Sequence, residues 1–183
     1  AAAPTHAFLN DPDNGMFRPT TNTVGFSTAG TERLRILSSG GITFNGDTAA
    51  ANALDDYEEG VWTATWGDGS NTVSVTNQRY VKVGTIVYAS FDFYNKNISS
   101  ATGHLRVSGL PFTSNSGKPS HALLGITALN YDVSWGEVGA SQSFIYLYKN
   151  GDGGANFSQL TRADWNNNGT SASLRAYIVY QST

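Results

Sequence analysis

The hydrophobic pattern of the first quarter of the chain consists of apolar residues two positions apart, separated by turns. The pairs are Val24 and Phe26, Leu34 and Ile36, and Ile42 and Phe44. Turn residues rich in glycine and serine follow at 27–30 and 38–41. A spacing of two places both members of a pair on one face of a β-strand. The pattern therefore predicts a row of very short strands, each with two apolar side chains.

Such strands give a core that is too thin for one copy of the chain. An isolated short hairpin is at best marginally stable in water. Further copies would supply the missing apolar surface, and three chains around one axis would stack the six apolar residues into a shared interior. We therefore predict a homotrimeric β stalk in which these six residues form the trimer packing. A thin, repetitive and self-associating β segment is typical of a fibre.

The chain divides into three parts by pattern. Residues 1–46 form the predicted stalk. Residues 47–59 form a connector, in which Asp47 could cap a short helical turn over residues 49–54 because aspartate is a preferred N-cap. Residues 60–183 carry longer alternating runs and are predicted to form a compact head.

About eight strands are predicted in the head. Trp62, Ala64 and Trp66 alternate with polar residues in the first of them, and residues 85–95 form the longest. The other strands are predicted near residues 73–75, 80–83, 104–107, 121–129, 143–149 and 171–180. Frequent turns separate these strands, and no long helical period is present. The fold class is therefore all-β, with an antiparallel β-sandwich or jelly-roll head.

Composition narrows the possible partners. Charged residues make up 14% of the chain, the net charge is −3, and the basic residues are scattered, so nothing favours nucleic acid. There is no cysteine for a disulfide or a thiolate site, and no apolar run approaches the length of a membrane helix. The first residues lack a signal-peptide pattern and an initiator methionine, so we expect a piece of a longer chain.

Several runs of residues resemble tail fibres of tailed bacteriophages, especially marine cyanophages. In the stalk these are DNGMF at 13–17 and NTVGFSTAGTERLRI at 22–36. At the start of the head the run is ALDDYEEGVWT at 53–63, and the shorter runs are YVKVG at 80–84 and SGLPF at 108–112. Val61 and Ala64 depart from the expected threonine and proline, and both still suit a strand.

The resemblance implies a homotrimeric fibre tip with a β-sandwich head. It also implies a location outside the cell, at the end of a virion tail, where the tip joins the upstream part of the fibre and contacts the host surface. It identifies no ligand. The low charge and the many hydroxyl and amide groups fit host polysaccharide or lipopolysaccharide as the partner, with no nucleic acid and no insertion into the membrane.

Two polar loops each place a tryptophan among short amide and carboxylate side chains. An aromatic ring can carry the apolar face of a sugar while planar polar groups bind its hydroxyls. The alternative is that each tryptophan packs onto its own loop or into the trimer interface. The candidate residues are Tyr131, Asp132 and Trp135 in the first loop, and Asp164, Trp165, Asn166 and Asn167 in the second.

Catalytic chemistry has weaker support in the sequence. Four carboxylates crowd the connector, at Asp55, Asp56, Glu58 and Glu59. A glycosidase holds two carboxyl groups across a sugar, roughly 5 to 10 Å apart, which neighbours on a flexible connector rarely achieve. We therefore predict no catalytic residue, no cofactor and no metal site. The expected function is receptor binding without catalysis; the alternatives are a depolymerase head and a purely structural trimerisation tip.

Overall fold

The structure is a computed structural model that describes residues 4–117, 120–127, 134–150 and 157–183. The chain forms two compact units, Ala1–Tyr57 and Glu58–Thr183, which we call the first unit and the head. Both are built from antiparallel strands, and the helical segments among the described residues are single 3-10 turns. The prediction of an all-β fold is confirmed.

The first unit is a five-stranded antiparallel sheet with the strands in chain order. Three of these strands coincide with the predicted apolar pairs, whereas the first two were not predicted because they hold few apolar residues. The strands are β1 (His6–Phe8), β2 (Asp11–Phe17), β3 (Val24–Thr28), β4 (Thr31–Ile36) and β5 (Ile42–Phe44).

Strand register brings the three apolar pairs into two rows across this sheet. Val24 lies opposite Ile36, which lies opposite Ile42. In the neighbouring row Phe26 lies opposite Leu34, which lies opposite Phe44. Directly opposed residues project to the same side of a sheet. All six residues therefore share one face; their spacing predicted this within each pair, and the register extends it to all three pairs.

The connector is shorter and more ordered than predicted. The Asp47 carboxylate accepts hydrogen bonds from the Ala49 backbone N–H and the Asn52 side chain, next to a 3-10 turn over Ala50–Asn52. A strand already begins at Tyr57, so Glu58 belongs to the head and not to a flexible connector. The Glu58 carboxylate accepts a hydrogen bond from the Tyr80 hydroxyl, and this bond raises the pKa of Tyr80.

Among the described residues, nine strands form the head as one nearly closed, barrel-like sheet. Their order is β11-β10-β14-β8-β7-β6-β9-β12-β13, and β11 at one end also pairs with β12, the strand next to the other end. The strands are β6 (Tyr57–Gly67), β7 (Thr72–Val83), β8 (Ile86–Lys96), β9 (Arg106–Ser108), β10 (Ser120–Thr127), β11 (Ser134–Val138), β12 (Phe144–Asn150), β13 (Phe157–Gln159) and β14 (Ala172–Gln181).

The head core follows the predicted alternation. Trp62, Ala64 and Trp66 on β6 are buried, and so is one face of β8. On β12, Ile145 and Leu147 are fully buried. The largest fully buried side chains of the head are Trp66, Trp165, Tyr180, Phe93, Ile98, Leu105, Ile145, Leu147, Leu160, Leu174, Ile178 and Val87.

Strand boundaries differ from prediction in two places. The strands predicted at 73–75 and 80–83 form one strand, β7, that continues through Asn77 with φ at 59°. Asparagine tolerates this left-handed conformation, so the chain bends without ending the strand. Strands β11 and β13 were not predicted from the sequence. Polar residues interrupt the alternating pattern in both of these short stretches.

Candidate binding surfaces

The first sheet exposes its apolar face. Phe26 and Phe44 remain 42% and 52% exposed, and Val24 and Ile36 are exposed as well. The residues of the alternate positions on β3, including Ser27, are buried instead. The usual arrangement of a half-buried strand is therefore inverted: the small and polar side is covered and the apolar side faces outward.

The covered side of this sheet gives little hydrophobic stabilisation. Leu37 is the only large apolar side chain that is buried among the described residues of the first unit. A side chain on Gly25 would overlap the Phe17 and Pro19 rings at 2.8 Å, so these two rings close over the backbone of β3. The first unit thus lacks an apolar core of its own.

Beside the exposed face lies an open groove of about 580 Å³. Met16 and Phe26 contribute to its lining, together with Phe8 of β1. Leu9, in the adjoining turn, is 96% exposed. Contiguous exposed apolar surface is rare on monomeric soluble proteins.

A second apolar surface lies on the outer side of β7, β8 and β14 in the head. Val81 of β7 and Val179 of β14 lie opposite Tyr88 of β8, and the Tyr88 ring stacks on Tyr177 with their centroids 5.5 Å apart. This surface was not predicted from the sequence. Its exposed members are Val83, Ile86, Tyr88, Tyr177 and Val179, all more than 40% exposed.

The structure buries two of the four candidate residues in the second loop predicted to bind sugar. Trp165 is fully buried and its indole meets that of Trp66, with the ring centroids 5.1 Å apart. Asp164 is also buried: its carboxylate accepts hydrogen bonds from the Thr161 backbone N–H and hydroxyl and pairs with Lys149. The predicted polar loop is a 3-10 turn that caps the barrel, so neither side chain is available to a ligand.

Two further candidates of that loop, Asn166 and Asn167, begin the next 3-10 turn, Asn166–Gly169. Their side chains lie outside the described part of the structure. The candidates Tyr131 and Asp132 lie outside the described residues altogether. For these four residues the predicted role in binding stays a prediction.

Trp135 lies on a strand and not in a loop. It sits on β11 opposite Tyr148 of β12, and the two rings stack at 17° with centroids 4.8 Å apart. The Phe157 ring of β13 meets the same indole edge to face, at 5.3 Å. The indole therefore belongs to an aromatic cluster instead of standing alone among polar side chains.

This cluster continues along the outer side of β12. On β12, Ile145 and Leu147 point into the core. The alternate residues, Phe144, Tyr146 and Tyr148, therefore point outward. We call the resulting set the aromatic stripe; it consists of Trp135, Phe144, Tyr146, Tyr148 and Phe157. The alternation of rings with aliphatic residues in 144–148 was visible in the sequence, but only burial shows which set faces outward.

The structure does not bring the four connector carboxylates together in one pocket: Glu59 alone lines a described pocket, with Arg79 and Tyr80. Asp55, Glu58 and Glu59 are exposed, and Asp56 is half-buried. Across the described ranges no group of three histidine, cysteine, aspartate or glutamate side chains is placed to hold a metal ion.

Comparisons with known proteins gave no match that indicates a function. No family model matches the chain, and neither the curated proteins nor the solved structures give a match. Within the described part of the chain, no helix has the length and apolar character needed to cross a membrane.

Proposed function

We propose that this chain is the distal end of a bacteriophage tail fibre, a homotrimeric protein that attaches the virion to polysaccharide on the host surface. The motifs that resemble phage fibres supply the biological setting. The inverted first sheet supplies the physical argument, and it is the observation that carries the proposal.

The inverted sheet favours association with identical copies. Burial of apolar surface yields roughly 25 cal/mol per Å², and the first unit leaves most of its large apolar side chains in water. Every copy carries the same outward rows, so copies placed around an axis would bury Phe26 and Phe44 against each other. The outer surface of β7, β8 and β14 offers a second apolar area for contact between heads.

Three identical heads fit attachment to a repetitive polymer. A polysaccharide presents many equivalent units, and linked sites bind such a target through effective concentration even when each contact is weak. This arrangement requires no catalytic group. Receptor binding therefore follows from the trimer more directly than hydrolysis does.

Light scattering on the purified chain tests whether it forms a trimer. We expect roughly three times the protomer mass of 19.5 kDa. A folded, cooperatively melting sample at the mass of one protomer would contradict the proposal, since a self-sufficient protomer has no use for an outward apolar sheet.

Adsorption of the fluorescently labelled trimer to a panel of bacteria, cyanobacteria included, tests the attachment step. We expect saturable binding to some strains that their purified surface polysaccharide inhibits. Sustained release of reducing sugar from that polysaccharide would instead show a depolymerase. A trimer that binds none of the strains or polysaccharides would indicate a structural tip.

A further inference from the structure

The aromatic stripe has planar polar side chains placed at regular positions beside its rings. Tyr146 of β12 lies opposite Arg106 of β9 on one side and opposite Glu137 of β11 on the other. Tyr148 lies in the same way between Trp135 and Gln159. Each tyrosine therefore stands in a cross-strand row with a guanidinium, carboxylate or amide group.

The distances within these rows suit one sugar ring. Neighbouring strands lie roughly 4.8 Å apart, so the backbones that carry Arg106 and Glu137 are roughly 10 Å apart, with Tyr146 midway between them. The Glu137 side chain is long enough to reach inward over the tyrosine, and the Arg106 guanidinium lies over the neighbouring Phe144 ring. A ligand above Tyr146 would meet an aromatic surface below it and a hydrogen-bonding group at each side.

The rings are held in place before any ligand arrives. Phe144 meets Tyr146 edge to face at 4.8 Å, and the Arg106 guanidinium lies 4.7 Å above the Phe144 ring. Trp135 is fixed between Tyr148 and Phe157. Side chains that are already ordered lose little conformational entropy on binding, which favours a weak, shallow ligand.

The polar groups of these rows retain hydrogen-bonding capacity. Within the described residues no hydrogen bond is found for the side chains of Glu137 and Gln159, and the buried Nε of Arg106 has no hydrogen-bond partner. Other planar groups in the head are engaged: Arg175 binds Asp92, and Gln78 accepts from the Asp92 backbone. A ligand with hydroxyl groups could use the remaining donors and acceptors.

Charge favours a neutral polar ligand over an anion or another protein chain. One cation, Arg106, and one anion, Glu137, flank Tyr146, so this part of the stripe has no net charge. A phosphate or nucleic acid would require an excess of positive charge. The exposed outer surface of β7, β8 and β14 is instead aliphatic at Val83, Ile86 and Val179, which suits contact with a copy of the chain.

We propose that the aromatic stripe is a carbohydrate site that binds a pyranose unit of a polysaccharide, with its apolar face on the rings and its hydroxyl groups on Arg106, Glu137 and Gln159. This inference depends on the proposed function only for the biological source of the sugar. The proposed site includes Trp135 from the sequence prediction and replaces Trp165 with residues of β9, β12 and β13.

The test compares three variants on a printed array of bacterial O-antigen and capsule polysaccharides. Phe157→Ala removes a ring that is 62% exposed, and Glu137→Gln removes one charge while keeping the shape. The matched control is Tyr94→Ala, which removes a ring that is 68% exposed on β8. Circular dichroism and thermal melting show first that all three fold and associate like the wild type.

We expect Phe157→Ala to weaken binding of the best array polysaccharide about tenfold, the effect of losing somewhat more than 1 kcal/mol at an interface. Glu137→Gln should weaken it less, and Tyr94→Ala should leave it unchanged. Equal binding by all variants, or a wild type that binds no polysaccharide of the array, would overturn the proposal.

The same variants separate this inference from the proposed function. A trimer that adsorbs to cells equally well with and without Phe157 keeps the fibre proposal and refutes the carbohydrate site. A protein that binds array polysaccharide through the stripe but is monomeric supports the site and refutes the fibre proposal.

Discussion

The indole rings of Trp66 and Trp165 meet edge to face inside the barrel, with their centroids 5.1 Å apart and their planes at 63°. The two residues are 99 positions apart in the chain, and both are fully buried. Trp165 also follows Asp164, whose carboxylate holds the 3-10 turn through Thr161. This contact joins a turn of polar sequence to the centre of the core.

Trp165→Ala should therefore act on stability. We expect a loss of roughly 3–5 kcal/mol in the free energy of unfolding, because a large buried ring is replaced by a cavity. Denaturant unfolding measures it, with Tyr94→Ala as the exposed control expected within about 0.5 kcal/mol of wild type. A Trp165→Ala protein of normal stability that binds sugar poorly would place this ring at the surface.

Phe26→Asp should prevent association. Phe26 lies in the middle of an exposed apolar row, and a carboxylate there would have to be desolvated between copies, which is costly without a partner. We expect the mass in light scattering to fall from three protomers toward one. Ser39→Asp, in an exposed turn of the same unit, adds the same charge and should leave the mass unchanged.

If the Phe26→Asp variant remains a trimer, as the Ser39→Asp control should, the first sheet does not form the contact between copies. Association would then have to involve another surface, and Tyr88→Asp on the outer side of β8 is the corresponding variant there.

Asp68→Asn should destabilise the head by roughly 2 kcal/mol, the scale of hydrogen bonds to a charged group. The Asp68 carboxylate accepts backbone hydrogen bonds from Asn71, Thr102, Ser70 and Gly103, which hold its pKa well below the usual range of an aspartate. It thereby links the β6–β7 turn to the segment before β9. Denaturant unfolding at neutral pH measures the difference.

Acid should reduce the difference in stability between the wild type and Asp68→Asn. Because the folded-state pKa is lowered, the stabilisation is present above about pH 4 and is lost as the pH falls through the folded-state pKa. Wild-type stability should therefore decline more steeply below pH 4 than that of Asp68→Asn. Parallel curves for the two proteins would show that the carboxylate is not held in its charged form.

Tyr180→Phe should weaken the head by about 1 kcal/mol. The buried Tyr180 hydroxyl donates to the Phe112 carbonyl at 3.0 Å and accepts from the Phe112 N–H at 3.2 Å. Removal of the hydroxyl leaves both groups of Phe112 without this partner. Thermal unfolding at neutral pH measures the loss.

Burial raises the pKa of Tyr180 to about 12, so alkali should have a specific effect. The stabilisation is complete below the ordinary tyrosine pKa of 10.0 and declines as the pH rises from there toward 12. Tyr180→Phe should therefore approach wild-type stability in that range. An unchanged difference between the two proteins at high pH would contradict a buried, neutral hydroxyl.

Local pattern was sufficient for much of the fold. The alternation of Trp62, Ala64 and Trp66 identified both the strand and its buried face, and the pairs Val24 with Phe26 and Leu34 with Ile36 identified two strands and their shared face. Alternation works because the geometry of a single strand sends neighbouring side chains to opposite sides. Strand β11 was missed because Trp135 alone gives no period.

The candidate sugar residues show where local pattern fails. Trp135 and Trp165 stand in similar polar surroundings in the sequence, and nothing in their neighbours separates them. Trp135 belongs to the aromatic stripe because β11 pairs with β12. Trp165 is buried because the 3-10 turn at Asp164 directs it onto Trp66. Both outcomes depend on contacts between distant parts of the chain.

The sequence by itself determined the all-β class, the face shared by the six apolar residues of the first unit and the scarcity of apolar residues there, because these are properties of neighbouring positions. The tertiary structure alone decided which side of each sheet is covered. Burial depends on what long-range pairing places against a face, and the fold leaves Phe26 42% exposed while it buries Trp165.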